Sequence, residues 1–310
     1  MDGLVEDLLR EAQEIRGHTV AESSRNIYAA GLRKYEETMR GLERDPFPLE
    51  IQKMELFLVL MKRQGKCYNT LAGYVRSFSF YFRSNNLDVL TQSMDFKIFM
   101  SGLRRDTTRE GESPKAKEPF RKEWFEQISR CIPMGDIDNR RMMFWMTLCF
   151  HAFLRISELM CLRKRDIRIN IDEGRMELYI RRSKTDQFGA GESTFVFKTG
   201  EPSSPWSYLD ILDDIGDDDL IVGQTKERTL RSRLKRLLQV IGVKETGKYS
   251  FHSFRRGGAH LASAMGVNDC VIKAHGRWRS EAYLRYVSVD KRMAGRTVAD
   301  ALMAGGGGAP

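Results

Sequence analysis

Residues 250–286 read SFHSFRRGGAHLASAMGVNDCVIKAHGRWRSEAYLRY, and this stretch decides how the second half of the chain folds. Its apolar residues recur with a helical period, which predicts helices over residues 252–265, 268–275 and 280–288. Ser250 or Ser253 is placed to cap the first of these helices. His252 and Arg255 lie three apart at that helix start, where free backbone N–H groups and the helix dipole favour a phosphate.

An earlier stretch, AFLRISELMCL at residues 152–162, contains a charged pair among apolar residues. Arg155 and Glu158 are three apart and share a face of a helix that is predicted to begin near Ile156. An arginine in apolar surroundings is usually paired with a carboxylate, so we expect an ion pair with Glu158. On these residues alone, a purely structural pair explains the pattern as well as a functional one does.

Two more stretches of sequence carry side chains that a phosphodiester reaction could use. Lys184 lies in RRSKTD, between alternating segments at 176–182 and 193–198 that predict a small antiparallel hairpin. A lysine in a turn is ordinarily just exposed to solvent. Trp278, Tyr283 and Tyr286 follow in HGRWRSEAYLRY, and each could equally be a core residue. Phosphoryl transfer needs fixed cationic donors around the equatorial oxygens, which arginines and a lysine supply.

The rest of the chain predicts two helical domains joined by a polar linker. Residues 104–118, RRDTTREGESPKAKE, lack large apolar side chains and contain Gly and Pro. We therefore predict a helical domain over 1–105, a linker over 106–118 and a second domain over 119–310. The further predicted helices are 2–16, 22–40, 48–64, 68–85 and 92–104 in the first domain, and 121–132, 139–151, 206–215 and 228–241 in the second.

Composition indicates a folded protein with a polyanionic partner. Of the 310 residues, 41% are hydrophobic and 30% charged, and the formal net charge is +9. Residues 111–310 hold most of this excess, with 34 basic and 26 acidic side chains. The run KERTLRSRLKR at 226–236 has six bases and one acid, although a solvated helix face would look the same.

Several other classes of protein fit poorly. The five cysteines are scattered and never form C-x-x-C, and the five histidines show no ligand spacing, so we expect no disulfide framework and no metal site. GVKETGKY at 242–249 departs from a P-loop because Tyr249 replaces Ser or Thr. The first 20 residues mix charged and apolar positions, which favours an intracellular protein with no membrane segment.

Taken in order, these motifs resemble the catalytic set of the tyrosine recombinase, or phage integrase, family, over roughly residues 118–290. The resemblance implies a mainly α fold with a small antiparallel β-hairpin or sheet in the catalytic domain, and a two-domain, clamp-like architecture. It implies a site-specific DNA recombinase or integrase that cuts and rejoins strands through a 3′-phosphotyrosyl intermediate. Such enzymes need no metal and no cofactor.

The resemblance assigns a role to each candidate. Arg155 is similar to the family's first arginine, with Glu158 as its supporting carboxylate, and Lys184 falls where the family keeps a lysine in a hairpin turn. His252 and Arg255 match the H-x-x-R pair. Trp278, 23 residues after Arg255, matches the position of a histidine or tryptophan. His275 is then expected to be structural.

The nucleophile is expected to be Tyr286, with Tyr283 as the alternative. The family usually places its tyrosine nine positions after the histidine or tryptophan, and here that position is Val287. A deletion of one residue in the preceding turn would bring Tyr286 into register. The compact form GRWRSEAYLRY is also similar to recombinases of eukaryotic mobile elements.

The family also implies partners. We expect double-stranded DNA and a homo-tetramer on it, in the nucleus of a eukaryote or the cytoplasm of a bacterium. The resemblance implies that the segment after the tyrosine contacts a neighbouring subunit. Residues 290–303 are a tail helix candidate for that contact, and a frayed tail explains the same residues equally well. The displaced tyrosine leaves an alternative open, a non-catalytic DNA-binding protein derived from a tyrosine recombinase. A type IB topoisomerase fits less well, since nothing in the chain suggests its extra domains.

Overall fold

A computed structural model describes residues 2–17, 20–109, 117–181, 191–199, 203–281 and 284. The chain divides into two compact units, Met1–Lys115 and Ala116–Pro310. Much of the predicted linker, residues 110–116, lies outside the described residues. Among those described, no helix is both long enough and apolar enough to cross a bilayer.

The described residues of the first unit form helices joined by turns and loops, with no strand among them. Its core is built from aromatic side chains such as Tyr35, Phe57 and Phe78, which meet edge to face. The Tyr35 hydroxyl donates to the carbonyl of Pro46 at 2.8 Å, so its buried polar atom is satisfied. The helices are α1 (Asp2–Gly17), α2 (Glu22–Gly41), α3 (Ile51–Arg63), α4 (Tyr68–Ser84) and α5 (Met94–Arg109).

The second unit is arranged around one buried helix. Its helices are α6 (Glu123–Cys131), α7 (Ile137–His151), α8 (Ile156–Cys161), α9 (Glu227–Val240), α10 (Phe251–Ala264) and α11 (Asp269–His275). Every residue of α7 from 142 to 150 is buried, as expected for a helix that is apolar on all sides. The Asp136 side chain accepts from the N–H groups of Asp138 and Asn139, so α7 begins two residues before its predicted start.

The predicted hairpin is part of a three-stranded antiparallel sheet in the order β1 (Ile167–Asn170), β2 (Arg175–Ile180), β3 (Glu192–Phe197). Met176, Leu178 and Val196 point from β2 and β3 into the core. β1 was not predicted, because four residues are too few to show an alternating pattern; its backbone pairing with β2 defines it. The expected fold class, mainly α with a small antiparallel sheet, is confirmed.

One segment predicted to be an α-helix forms 3-10 turns instead. Residues 206–215 were expected to be α-helical, whereas Pro205–Leu212 forms 3-10 turns interrupted at Tyr208, where φ is −132°. The cause lies in tertiary contacts that fix this segment, since the Trp206 indole N–H donates to the carbonyl of Val196 at 3.2 Å. The predicted helix over 280–288 and the predicted tail helix lie largely or wholly outside the described residues.

Candidate active site

The candidate site lies where α7 ends and α8 begins. After His151 the chain turns through Phe153, whose φ of 48° lies in the left-handed region. The last carbonyls of a helix lack partners within it and carry the negative end of its dipole, so they attract cationic donors. The carbonyls of His151, Ala152 and Phe153 accept hydrogen bonds from side chains of residues 255–277.

Glu158 occupies the centre of this site and is 2% exposed. Its Oε2 accepts from the backbone N–H of Arg155 at 2.9 Å, and its Oε1 accepts from Nη1 of Arg155 at 2.5 Å. Arg155 is the N-cap of α8, so Glu158 stands in the first turn and reaches back to the start of the helix. The Arg155 side chain remains 17% exposed, so it is less buried than Glu158.

Two further arginines approach the same carboxylate. Nη2 of Arg277 lies 3.1 Å from Oε2 of Glu158, and Nη1 of Arg255 lies 3.9 Å from that oxygen. Burial alone would raise the pKa of Glu158, but Arg277, the hydrogen bond from Arg155 and the remaining guanidinium charges together lower it below its ordinary value. Glu158 is therefore an anion, and three guanidinium groups around it leave positive charge in excess.

Helix α10 brings Arg255 to the site. Ser250 is its N-cap, and the Ser253 hydroxyl accepts from the N–H of Ser250 at 3.1 Å, so both predicted capping residues take part. Arg255 is fully buried and donates through its terminal nitrogens to the carbonyls of Phe153 and Gly276. A guanidinium has five N–H donors, so two such bonds do not exhaust it.

Glycines allow α10 to pack this closely. A Cβ on Gly257 would lie 2.1 Å from the carbonyl oxygen of Phe120, and one on Gly258 would lie 2.2 Å from that of Phe150. Backbone atoms cannot yield as a flexible side chain would. The sequence RRGG, residues 255–258, therefore combines one arginine of the site with the two glycines that let its helix approach the backbone of Phe120 and of α7.

The segment HGRW, residues 275–278, also borders the site. Helix α11 ends in a Schellman motif, with Trp278 N–H donating to the carbonyl of Lys273 at 3.1 Å and Arg277 N–H to that of Ala274 at 2.9 Å. Gly276 lies beneath the Trp278 ring, where a Cβ would be 1.8 Å from a ring carbon. The Trp278 ring in turn covers Arg255, whose Cζ is 4.3 Å from its centroid.

The two histidines are placed differently. His275 Nε2 lies 2.8 Å from the carbonyl of His151, and its ring meets Phe153 edge to face at 4.6 Å. Burial lowers the pKa of His275, so its ring is held neutral within the packing. His252 is half-buried in the first turn of α10, three residues before Arg255.

The two strands that flank the predicted Lys184 in sequence are also linked to the site. Ile180 pairs with Glu192 at the last rung of β2 and β3. Burial lowers the pKa of Arg277 below its ordinary value, although Glu158 and, more weakly, Glu192 raise it. Arg181 is anchored by Nε to the buried Asp166 at 2.7 Å. Lys184 lies outside the described residues, as do Tyr283 and Tyr286.

Arg277 is the residue that sequence reasoning missed. It is buried and contacts Glu158 directly, whereas the sequence pattern assigns it no role. The available signal was an arginine immediately after the glycine that closes a predicted helix and directly before a tryptophan. Such a position is where a helix end turns back towards the core.

Among the described residues, no group of three or more His, Cys, Asp or Glu side chains is arranged to hold a metal ion. A cavity of about 540 Å³ lies near the start of α7, lined by residues such as Asp138, Trp145 and Arg163. It contains none of the predicted site residues. Within the described part of the second unit, the predicted site residues Arg155, Glu158, Arg255 and Trp278 therefore gather at the end of α7 and not at this cavity.

Comparison with solved structures identifies the class of fold, which is that of the tyrosine recombinases and integrases. No protein-family model matches the sequence, and no curated protein matches it. The chain is similar to the Tn1549 transposon integrase in complex with circular intermediate DNA, with 14% identity, a TM-score of 0.65, and coverage of 96% of this chain and 98% of that chain.

Two other recombinases are also similar. XerH bound to palindromic difH substrate has 14% identity and a TM-score of 0.61, over 88% of this chain and 78% of that chain. A lambda integrase dimer bound to a COC′ core site has 16% identity and a TM-score of 0.56, over 91% of this chain and 76% of that chain. At these identities the likeness establishes the fold.

Proposed function

We propose that this chain is a DNA strand-exchange recombinase that works through a 3′-phosphotyrosyl intermediate. The observation that carries the proposal is the cluster of Arg155, Arg255 and Arg277 around Glu158, at a helix end within this fold. One carboxylate leaves the three cations with excess positive charge. A phosphodiester approaching the partly exposed Arg155 would supply the missing anion, and guanidinium forks suit its oxygens.

In the proposed reaction, the Tyr286 hydroxyl attacks the scissile phosphorus while the bond from phosphorus to the 5′-oxygen breaks. Lys184 donates a proton to that leaving oxygen, so a free 5′-hydroxyl is released. His252 either takes the proton that the Tyr286 hydroxyl loses or assists phosphate binding, in which case that proton passes to solvent. Because the phosphotyrosine retains the energy of the broken bond, a 5′-hydroxyl from a second duplex reverses the step and completes exchange.

Arg155 and Arg255 are proposed to hold the non-bridging oxygens, where charge develops in the transition state. The Trp278 indole N–H is proposed to donate to a phosphate oxygen. Glu158 orients the arginines and does not react. The proposed substrate is double-stranded DNA, bound by a homo-tetramer in which the segment after the tyrosine contacts a neighbouring subunit.

The test is covalent capture. The protein is incubated in EDTA with a pool of nicked DNA duplexes carrying a randomised centre, and denaturing gels reveal any adduct. We expect an adduct that peptide mapping places on Tyr286, absent in Tyr286→Phe and present in the matched variant Tyr283→Phe. An adduct on Tyr283 keeps the function and changes the nucleophile.

Absence of any adduct, despite tight and salt-sensitive DNA binding, contradicts the proposal. That result would instead favour a non-catalytic DNA-binding protein derived from a tyrosine recombinase. Loss of binding as salt rises distinguishes phosphate contacts from non-ionic association.

A further inference from the structure

Arg277 makes four hydrogen bonds from a buried position. Its Nη1 donates to the carbonyls of Ala152 and His275, each at 3.2 Å, and its Nη2 donates to the carbonyl of Phe153 at 3.3 Å and to Glu158 Oε2 at 3.1 Å. One planar group thus joins the end of α7, the end of α11 and the carboxylate of α8. A lysine, with a single nitrogen, could not span these acceptors.

The backbone of Arg277 is unusual for its residue type. Its φ of 55° lies in the left-handed region, and it occupies the position of a Schellman motif that glycine usually takes. A side chain persists in such a conformation only where its surroundings compensate for the strain. The four contacts of the guanidinium are that compensation. The same turn directs Trp278 back over Arg255.

Arg277 and Arg255 approach the same oxygen of Glu158. Oε2 of Glu158 is 3.1 Å from Arg277 and 3.9 Å from Arg255, so the nearer guanidinium takes the hydrogen bond. Without Arg277, we expect the carboxylate to draw Arg255 from 3.9 Å into a direct hydrogen bond. Arg255 would then have fewer donors for another anion, and the excess positive charge of the cluster would fall.

We propose that Arg277 is a positioning residue of the cleavage site, which holds Glu158 away from Arg255 and sets Trp278 over it. This inference rests on the proposed function. Arg277 acts through these three side chains and contacts no substrate itself.

The test compares Arg277→Gly with Arg277→Lys. Glycine accepts the left-handed turn and removes the whole side chain with its guanidinium, whereas lysine keeps the charge and loses the fork. We expect Arg277→Gly to bind the captured duplex as the wild type does and to form the adduct about 10- to 100-fold more slowly, the loss seen when groups that orient metal ligands are removed. Guanidinium chloride far below denaturing concentration should restore part of the rate, and sodium chloride of equal ionic strength should not.

Arg277→Lys should remain slower than the wild type and should melt at a lower temperature, because the left-handed turn keeps a side chain and loses the contacts of the fork. The control is Arg130→Gln, which removes one charge from an exposed pair on α6 and should leave the rate unchanged. Wild-type rates in Arg277→Gly overturn the inference, as does a slow variant that guanidinium fails to rescue. If Arg277→Gly does not fold, a full rate in Arg277→Lys overturns it. A wild-type chain that forms no adduct contradicts the proposed function itself.

Discussion

Replacing Glu158 by Gln removes the single negative charge at the centre of three guanidinium groups. The substitution keeps the shape of the side chain, whose exposed fraction is 0%. Removing one partner of a buried ion pair typically costs about 3–5 kcal/mol, because the remaining charge is left without compensation. Since Arg155 is 17% exposed and water can solvate it in part, we expect the lower end, about 3 kcal/mol.

The assay is denaturant unfolding followed by tryptophan fluorescence. All four tryptophans, Trp124, Trp145, Trp206 and Trp278, belong to the second unit, so the signal reports that unit in the full chain. The matched control is Glu126→Gln, which breaks an exposed pair with Arg130 on α6 and should change the free energy of unfolding by about 1 kcal/mol or less. A loss of similar size in both variants would refute the reasoning.

We also expect the difference in unfolding free energy between the wild type and Glu158→Gln to depend on pH. The pKa of Glu158 is lowered in the folded chain, so its stabilisation is complete above the pKa of an unfolded glutamate, about 4.3, and is lost as pH falls through the lowered value. The difference between wild type and Glu158→Gln should therefore shrink in acid. The other carboxylates contribute equally to the unfolding free energies of both proteins, so their contributions cancel in the difference. A difference that stays constant from neutral to acid pH contradicts an ionised Glu158.

Two further predictions concern packing and protonation. Gly258→Ala should lower the free energy of unfolding by about 1–3 kcal/mol or more, because the new Cβ would lie 2.2 Å from the Phe150 carbonyl oxygen. Gly73→Ala on α4, where a Cβ meets nothing within 4 Å, is the control and should be neutral or stabilising in thermal unfolding. Burial lowers the pKa of His275, so the stability of the wild type should fall as pH drops below about 6.5, and His275→Gln should flatten that dependence in unfolding curves measured at successive pH values.

Much of the helical framework could be predicted from local signals. Apolar periodicity located the helices of both units, and the alternating segments around residues 176–182 and 193–198 located β2 and β3. Errors arose where local pattern was weak. β1 is defined by pairing with β2, and Pro205–Leu212 takes 3-10 turns because its contacts with the sheet outweigh its helical pattern.

For the candidate site too, the sequence predicted the local relations and not the long-range contacts. Sequence spacing was enough to expect Arg155 beside Glu158 and Arg255 near the start of a helix, because both relations are local to one turn. It could not show that Arg277 closes on Glu158, since 119 residues separate them along the chain. Local patterns act over three or four residues and therefore determined the elements and the residues they carry. The convergence of α7, α8, α10 and the HGRW turn on one carboxylate depends on long-range packing and buried charge, which only the tertiary structure decided.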